Sequence, residues 1–515
     1  MQFEFPVSLT AKNFIDTLNN QIDTQIALTQ SSTRTYYDSF DWRLYSNGIT
    51  CESNQTKRAT SQSSLQCLQL KSVQTGLVIA SLELKKVPAF SKAFEPGMIR
   101  DTLEPLLEMR ALLPVCILEY EIYHLNIINK DQKIILRLLI EEYGQFNGRV
   151  LLQPVKGYDN AFDNMAVLLS TTLGLTATDK PVLLAALQVQ GRKPKSYSSK
   201  LTINLDPEMR ADIAGKYIYS HLLKAIKVNE QGVIANTDSE FLHDFRVAVR
   251  RTRAGLSQIK GILPANINAY FTDFFSWLGQ ITGPTRDLDV YLLSFERYKS
   301  SLPVSIREDL NALYDFLEIK QQKAHKELAK KLQSPRYSST LSEWEQYLKE
   351  PSFTKPPEQN AGLTIKELAD RRIWKIFNRV LQEGDAITAS SPPEGLHDLR
   401  KSCKKLRYLM EFFQSLYAEE QIKQLIKNLK GLQEVLGDFQ DYAVQEDNLK
   451  LFSEEMMALK IPVNTFLAMG VLIQDLDAHR NKAREDFASK FEVFKQEENQ
   501  LTFKLLFAPS KLHRH

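Results

Sequence analysis

The sequence predicts two folded parts: an α+β domain over residues 1–190 and an all-α domain over residues 205–510, joined by a basic stretch at 191–204. Three observations predict this. A chain of 515 residues is too long for one hydrophobic core. Short apolar or alternating runs of strand type are confined to the first part. After Pro207 they vanish, and long helical patterns follow one another, broken at Pro264, Gly283-Pro284, Pro303, Pro335, Pro351, Pro356-Pro357, Pro392-Pro393 and Pro462.

In the first part the strand signals are Leu65–Leu70, Gly76–Leu84, Val115–Ile122, Ile134–Ile140 and Val150–Leu152. Lys12–Asn20 and Asn164–Leu173 carry helical periodicity. Gly191–Lys200 is polar and basic and holds both Gly and Pro, so it reads as a solvated connector, with a phosphate-contacting arm as the alternative. The second part is expected to hold about eight to ten helices of roughly 15–30 residues, stacked as antiparallel bundles.

A composition of 43% hydrophobic and 25% charged residues excludes global disorder. Cys51, Cys67, Cys116 and Cys403 stand alone, without metal-ligand spacing, which argues against a zinc site or disulfide framework and fits a reducing cytoplasm. Met1–Pro6 lacks the basic start of a signal peptide, and no apolar run reaches the roughly 18 residues of a membrane span. Residues 1–200 carry 21 basic and 19 acidic side chains, and residues 201–515 carry 44 and 43. Affinity for a polyanion would therefore come from local clustering and not from bulk charge.

Such clustering is present, twice. Leu242-His243-Asp244-Phe245-Arg246 recurs 154 residues later as Leu396-His397-Asp398-Leu399-Arg400. The same offset carries Arg250, Arg251 and Arg253 onto Lys404, Lys405 and Arg407, and Leu278, Gly283, Asp287 and Val290 onto Leu432, Gly437, Asp441 and Val444. A register held that long points to a duplicated unit, with halves at about 205–350 and 360–510. Each copy is expected to open on His-Asp-x-Arg and to be followed by a second helix ending at the Gly and Asp.

At about 100° per residue, His243, Arg246, Arg250 and Arg253 fall within an arc of about 80°, apart from an apolar face of Phe241, Phe245, Val249 and Leu256. His397, Arg400, Lys404 and Arg407 repeat the stripe, with Phe412 and Leu416 on the apolar side. Five basic residues face one acid between Phe241 and Lys260, and again between Leu396 and Arg407. Like charges one turn apart repel by about 0.2–0.5 kcal/mol per pair, so a merely solvated helix would mix signs. The pattern fits an anion held between the stripes. Arginine offers phosphate a planar fork, lysine a mobile charge, and histidine a charge or a single hydrogen bond. Arg251, Lys401 and Lys405 add secondary basic charge. The bland alternative is a structural network tied to Asp244, Asp287, Asp398 and Asp441.

Phe241–Arg253 resembles the signature helix of the CHAD family (conserved histidine α-helical domain), and Leu278–Val290 resembles its second signature segment. Gly395–Arg407 and Leu432–Asp441 are similar to the second-half counterparts. The resemblance implies two pseudo-symmetric four-helix bundles whose basic cavity binds inorganic polyphosphate. The binding positions it implies are His243, Arg246, Arg250, Arg253, Arg286, His397, Arg400, Lys404 and Arg407. The second half departs from the pattern at Gln440, which stands where Arg286 stands in the first.

The N-terminal domain resembles a CYTH domain, a triphosphate-tunnel β-barrel, through Tyr36–Ile49 and the closing Ser199-Lys200. That family opens with Glu-x-Glu-x-Lys on its first strand, where carboxylates hold a divalent metal and the lysine meets phosphate. Here the positions are Gln2, Glu4 and Pro6, and the late strand Val150–Pro154 has no acid. The pairs Glu119/Glu121 and Glu83/Lys85 share strand faces, but spacing alone does not bring them together. The domain therefore reads as a degenerate tunnel, without catalytic residues or a metal site.

The leading expectation is a non-catalytic polyphosphate-binding protein that takes other polyanions as well, uses no cofactor, does not bind membranes, and sits in the cytoplasm, associated with polyphosphate granules. One alternative is a Mg²⁺- or Mn²⁺-dependent triphosphatase or polyphosphate hydrolase acting through the first domain. The others are a nucleic-acid-binding helical protein, disfavoured by the few interleaved aromatics, and a protein scaffold. Oligomeric state is left open.

Overall fold

The computed structural model describes residues 1–56, 66–199, 201–353, 357–388 and 390–509. Leu65, Lys200, Pro356 and Ser510, which bear on the sequence expectations, lie outside the described residues. The chain divides into two compact units, Met1–Ser199 and Lys200–His515.

The first unit runs β1 (Gln2–Phe5), α1 (Ala11–Asn19), β2 (Thr24–Asp38), α2 (Arg43–Ser46), β3 (Ile49–Thr56), β4 (Gln66–Ser72), β5 (Val78–Leu84), α3 (Met98–Leu107), β6 (Leu113–Ile128), β7 (Ile134–Glu142), β8 (Gly148–Pro154), α4 (Asp159–Val167), β9 (Thr176–Ala177) and α5 (Val182–Val189). One nine-stranded sheet takes the order β5-β4-β3-β2-β6-β7-β8-β1-β9, with antiparallel pairing throughout. One of its cores gathers Phe3, Phe5, Phe14, Leu138, Ile140 and Val150. Gly148 is required there, because a Cβ would lie 2.0 Å from the ring of the buried Phe5.

One of the longest elements here, β2, carries buried polar residues. In β2 the inward positions are Ser32, Arg34, Tyr36 and Asp38, which is why hydrophobic alternation did not reveal the strand. Asp38, within the Tyr36–Ile49 segment, accepts from the backbone N–H groups of Ser39, Leu44 and Tyr45. It fastens the turn into α2.

The second unit holds α6 (Ala211–Ile234), α7 (Ser239–Gln258), α8 (Ala265–Ile281), α9 (Gly283–Ser301), α10 (Asn311–Leu332), α11 (Pro335–Lys349), α12 (Ile365–Asp385), α13 (Pro393–Phe413), α14 (Glu419–Met457), α15 (Val463–Phe494) and α16 (Glu497–Phe507). These are eleven α-helices among the described residues, one above the expected range. The prolines mark helix starts as expected. Pro335 and Pro393 sit in first turns, where a missing N–H costs nothing. Asp238 caps α7 by accepting from the N–H groups of Glu240 and Phe241. Leu288, Tyr291 and Phe295 share a core with Leu313, Leu449, Phe452 and Leu472, so helices from both halves meet in one cluster.

Two expectations need correction. The second helix of each copy does not end at Gly and Asp. Gly283 and Asp287 lie in the first turn and a half of α9, and Gly437 and Asp441 lie inside the 39-residue α14. Pro284 has no N–H to extend α8, whereas Asp438 at the matching position does. The 191–204 stretch is solvated only in its first part: Gly191–Ser199 is mostly exposed, as expected, but the residues after Lys200 are packed. Arg192 Nη1 donates to the carbonyl of Val115 at 2.7 Å. Leu201, Ile203 and Leu205 are buried, Gln414 donates to the Leu201 carbonyl at 3.0 Å, and the Leu205 N–H donates to Ser415 Oγ at 3.1 Å.

Candidate functional site

The amphipathic division of α7 and α13 holds. Phe241, Phe245, Val249, Leu256, Phe412 and Leu416 are buried. The two helices pack against each other, which brings their basic stripes together. Burial lowers the Lys404 ammonium to about 8; the cations Arg400, Arg250 and Arg407 push it the same way, and Asp441 opposes them. Burial also pulls Arg246 below its ordinary value, helped by Arg250, Arg286 and Arg253, with Asp287 opposing. Arg250 thus acts on both stripes. Among the described residues neither Arg250 nor Lys404 forms an ion pair. The Nε atoms of Arg250 and Arg400 are buried without a hydrogen-bond partner among the described residues.

The other stripe residues are partnered. Arg246 Nη1 donates to the Gly279 carbonyl at 3.1 Å and to Thr282 Oγ1 at 2.8 Å. Arg253 reaches Ser276 Oγ at 3.3 Å. Arg400 pairs with Asp441 at 3.0 Å, as the structural-network alternative has it, and Lys401 pairs with Asp398 at 2.6 Å. Arg251 meets Glu411 at 3.0 Å, and Arg407 approaches the same carboxylate at 3.5 Å. Lys405 makes no ion pair among the described residues.

Each motif histidine Nδ1 meets a side chain 43 positions on in sequence. His243 Nδ1 lies 3.0 Å from Arg286 Nη2. A guanidinium only donates, so this nitrogen accepts and the ring is not imidazolium while the bond holds. Arg286 also lies 3.8 Å from Glu240 and donates to the Ser239 carbonyl at 3.3 Å. His397 Nδ1 lies 2.7 Å from Gln440 Oε1, an acceptor, so here Nδ1 carries the proton. The Arg-to-Gln departure therefore reverses the role of the ring.

Sequence reasoning missed a second polar cluster, inside the first unit. Arg34 pairs with Glu141 at 2.7 Å, lies 3.8 Å from Glu52, and donates to Asn54, Tyr120 and Tyr143. Lys71 meets Glu52 at 2.5 Å. Burial raises the Glu52 carboxyl, but Arg34 and then Lys71 outweigh that and hold it below the usual range. Glu4, the surviving first-strand acid, is taken by Arg149 at 2.8 Å. Glu83 and Glu119 are exposed. A divalent metal needs carboxylate oxygens free to coordinate, and those of Glu4, Glu52 and Glu141 are committed to cations. Among the described residues no three His, Cys, Asp or Glu side chains converge to hold a metal. The residues present do not fit the metal that a tunnel resemblance implies.

The second unit is thus an all-helical domain built around a doubled His-Asp-x-Arg motif. Residues 218–450 match the CHAD domain family profile, and the chain carries a CHAD domain. An uncharacterised protein of Mycobacterium tuberculosis, found in two strains, is 26% identical over 210 residues, 40% of this chain and 39% of its own length. The chain thus spans well under half of those curated relatives. The CHAD domain structure from Ricinus communis is 24% identical with a TM-score of 0.46, covering 56% of this chain and 96% of that one. Over the N-terminal part the solved neighbours include HpAC1 from Hippeastrum, a protein with a dominant triphosphatase activity, at 13% identity and a TM-score of 0.27, covering 38% of this chain and 98% of that one. No helix among the described residues is long and apolar enough to cross a membrane.

Proposed function

We propose that the helical unit binds inorganic polyphosphate between α7 and α13, and that the first unit does not catalyse phosphate transfer. The CHAD match supports a polyphosphate-related role in general. The observation that carries the finer reading is that Arg250 and Lys404, on the packed helices α7 and α13, are both half-buried and form no ion pair among the described residues. Two half-buried cations without ion pairs destabilise each other until an anion enters, and a polyphosphate chain would supply both charge and acceptors for the buried Nε groups. His243, Arg246, Arg253, Arg286, His397, Arg400 and Arg407 would complete the cradle, with Arg251, Lys401 and Lys405 secondary. Affinity would arise from many phosphate contacts and fall steeply with salt, as for other polyanions. For the first unit, the commitment of Glu4, Glu52 and Glu141 to Arg149, Arg34 and Lys71 supports a binding or docking role without Mg²⁺ or Mn²⁺.

The test compares Arg246→Ala with Arg400→Ala against the distant pair Lys326→Ala with Lys330→Ala, by titration with labelled long-chain polyphosphate. The first pair should weaken binding by at least about tenfold, ~1.4 kcal/mol, and the second hardly at all. Equal losses would mean that only diffuse charge is read, and stronger competition by RNA than by polyphosphate would favour a nucleic-acid ligand.

A further inference from the structure

The site described so far is short. From Arg246 to Arg253, or from Arg400 to Arg407, each stripe spans about 10 Å of helix. A long polyanion entering it must leave somewhere, and the two halves differ in what they offer.

Between Gln421 and Gln433, α14 holds Lys423, Lys427 and Lys430 and no acid. Their spacing of four and three places them on one face, about 10 Å long. They are not where a helix wants cations, since they lie in its N-terminal third, toward the positive end of the dipole. Lys423 pairs with Glu419, but Lys427 and Lys430 make no ion pair among the described residues. All three line a cavity of about 850 Å³, together with Arg251, Glu411 and the extended 201–204 segment. Glu411 is already held by Arg251 and Arg407, so its charge is offset where the cavity meets the α13 stripe. The same face of α14 continues past the exposed Glu434 to Gly437, where a Cβ would sit 3.6 Å from Arg400 Nη2. The lysine run therefore lies beyond Glu411 and Arg407 at the far end of the α13 stripe, on the α14 face that leads back past Glu434 toward Arg400.

The first half supplies an internal control. The positions 154 residues earlier are Ala269, Asp273 and Ser276. Where the second half has three cations, the first has one acid and no base.

We infer that the α13–α14 groove, through Lys427 and Lys430 with Lys423 beyond them, is an exit track for the same polyanion, so that the chain is gripped at the centre and led out on the second-half side only. This rests on the polyphosphate reading of the central site and adds polarity and a chain-length requirement to it. A short anion such as tripolyphosphate fills the centre without reaching the track; a linear chain of many phosphates engages both.

The experiment uses the full chain, with Lys427→Ala and Lys430→Ala combined, titrated with tripolyphosphate and with polyphosphate of about a hundred units at several salt concentrations. The double variant should bind tripolyphosphate within about twofold of the unsubstituted protein. It should bind the long chain roughly tenfold more weakly, with a salt dependence shallower by about two ions. Unchanged long-chain binding, or an equal loss for both ligands, overturns the track. Arg246→Ala with Arg400→Ala, run alongside, separates the two failures. If that pair abolishes long-chain binding while the lysine pair does nothing, the central site stands and the track falls. If the unsubstituted protein binds neither ligand, both readings fall.

Discussion

The two copies of the motif hold their leading arginine differently, although both lie on the same helical register. Arg246 is held by neutral acceptors, the Gly279 carbonyl and the Thr282 hydroxyl, whereas Arg400 is held by the Asp441 carboxylate. The cause is local. Leu436 stands where the first copy has Thr282, so the second arginine has no hydroxyl to meet and turns to the acid. Gln440 in place of Arg286 removes another cation from the same side. The comparison teaches that a repeated motif conserves direction and spacing more faithfully than it conserves charge. The first copy keeps its leading arginine less fully offset, and the second recovers cations farther out, along α14.

Single substitutions give the largest expected contrast. Arg246→Ala should weaken polyphosphate binding by about tenfold, Arg400→Ala by about threefold, and Asp441→Asn should tighten it by releasing Arg400, since a charged hydrogen bond lost outright costs about 1.5–3 kcal/mol while a partly exposed ion pair contributes roughly 0–1. Calorimetric titration checks this, and an Arg400 loss as large as the Arg246 loss would break the asymmetry.

Next in size is a pH effect at Lys404, whose charge is lost as pH rises through about 8. At constant ionic strength, polyphosphate affinity should drop several-fold between pH 7 and 9, and Lys404→Arg should flatten that profile. The sign for stability is opposite. The folded-state value lies below the ordinary lysine value, so the cation destabilises the free fold below about pH 8 and the penalty fades above it. Ligand-free thermal unfolding across the same range measures that term separately.

The smallest effect is expected from Gln440→Arg, which restores the first-copy arrangement. Binding should tighten by about two- to threefold with a slightly steeper salt dependence, because one more cation faces the anion. His397 Nδ1 should change from donor to acceptor, a change that nitrogen-15 chemical shifts of the ring would report.

Much of the helical unit was legible because its signals are local. The stripe of His243, Arg246, Arg250 and Arg253 follows from helix periodicity alone, and the prolines mark helix starts because a missing N–H is harmless there. Less of the first unit was legible. Strand β2 buries Arg34, Tyr36 and Asp38, inverting the rule by which strands are found. Its charged cluster joins Arg34 to Glu52 and to Glu141, more than a hundred positions away, a separation no periodicity encodes.

By itself, then, the sequence determined where the cations lie along each helix, how the motif repeats, and that Gln2 and Pro6 stand where the tunnel resemblance expects an acid and a lysine, since all of these are matters of residue identity and helical or strand pitch. The tertiary structure decided which charges are cancelled. It gave Arg400 to Asp441, Arg251 and Arg407 to Glu411, and Glu52 to Lys71, while leaving Arg250 and Lys404 without ion pairs among the described residues. Neutralisation depends on distances of a few ångströms between residues from different helices and strands, and those distances exist only after the chain has packed.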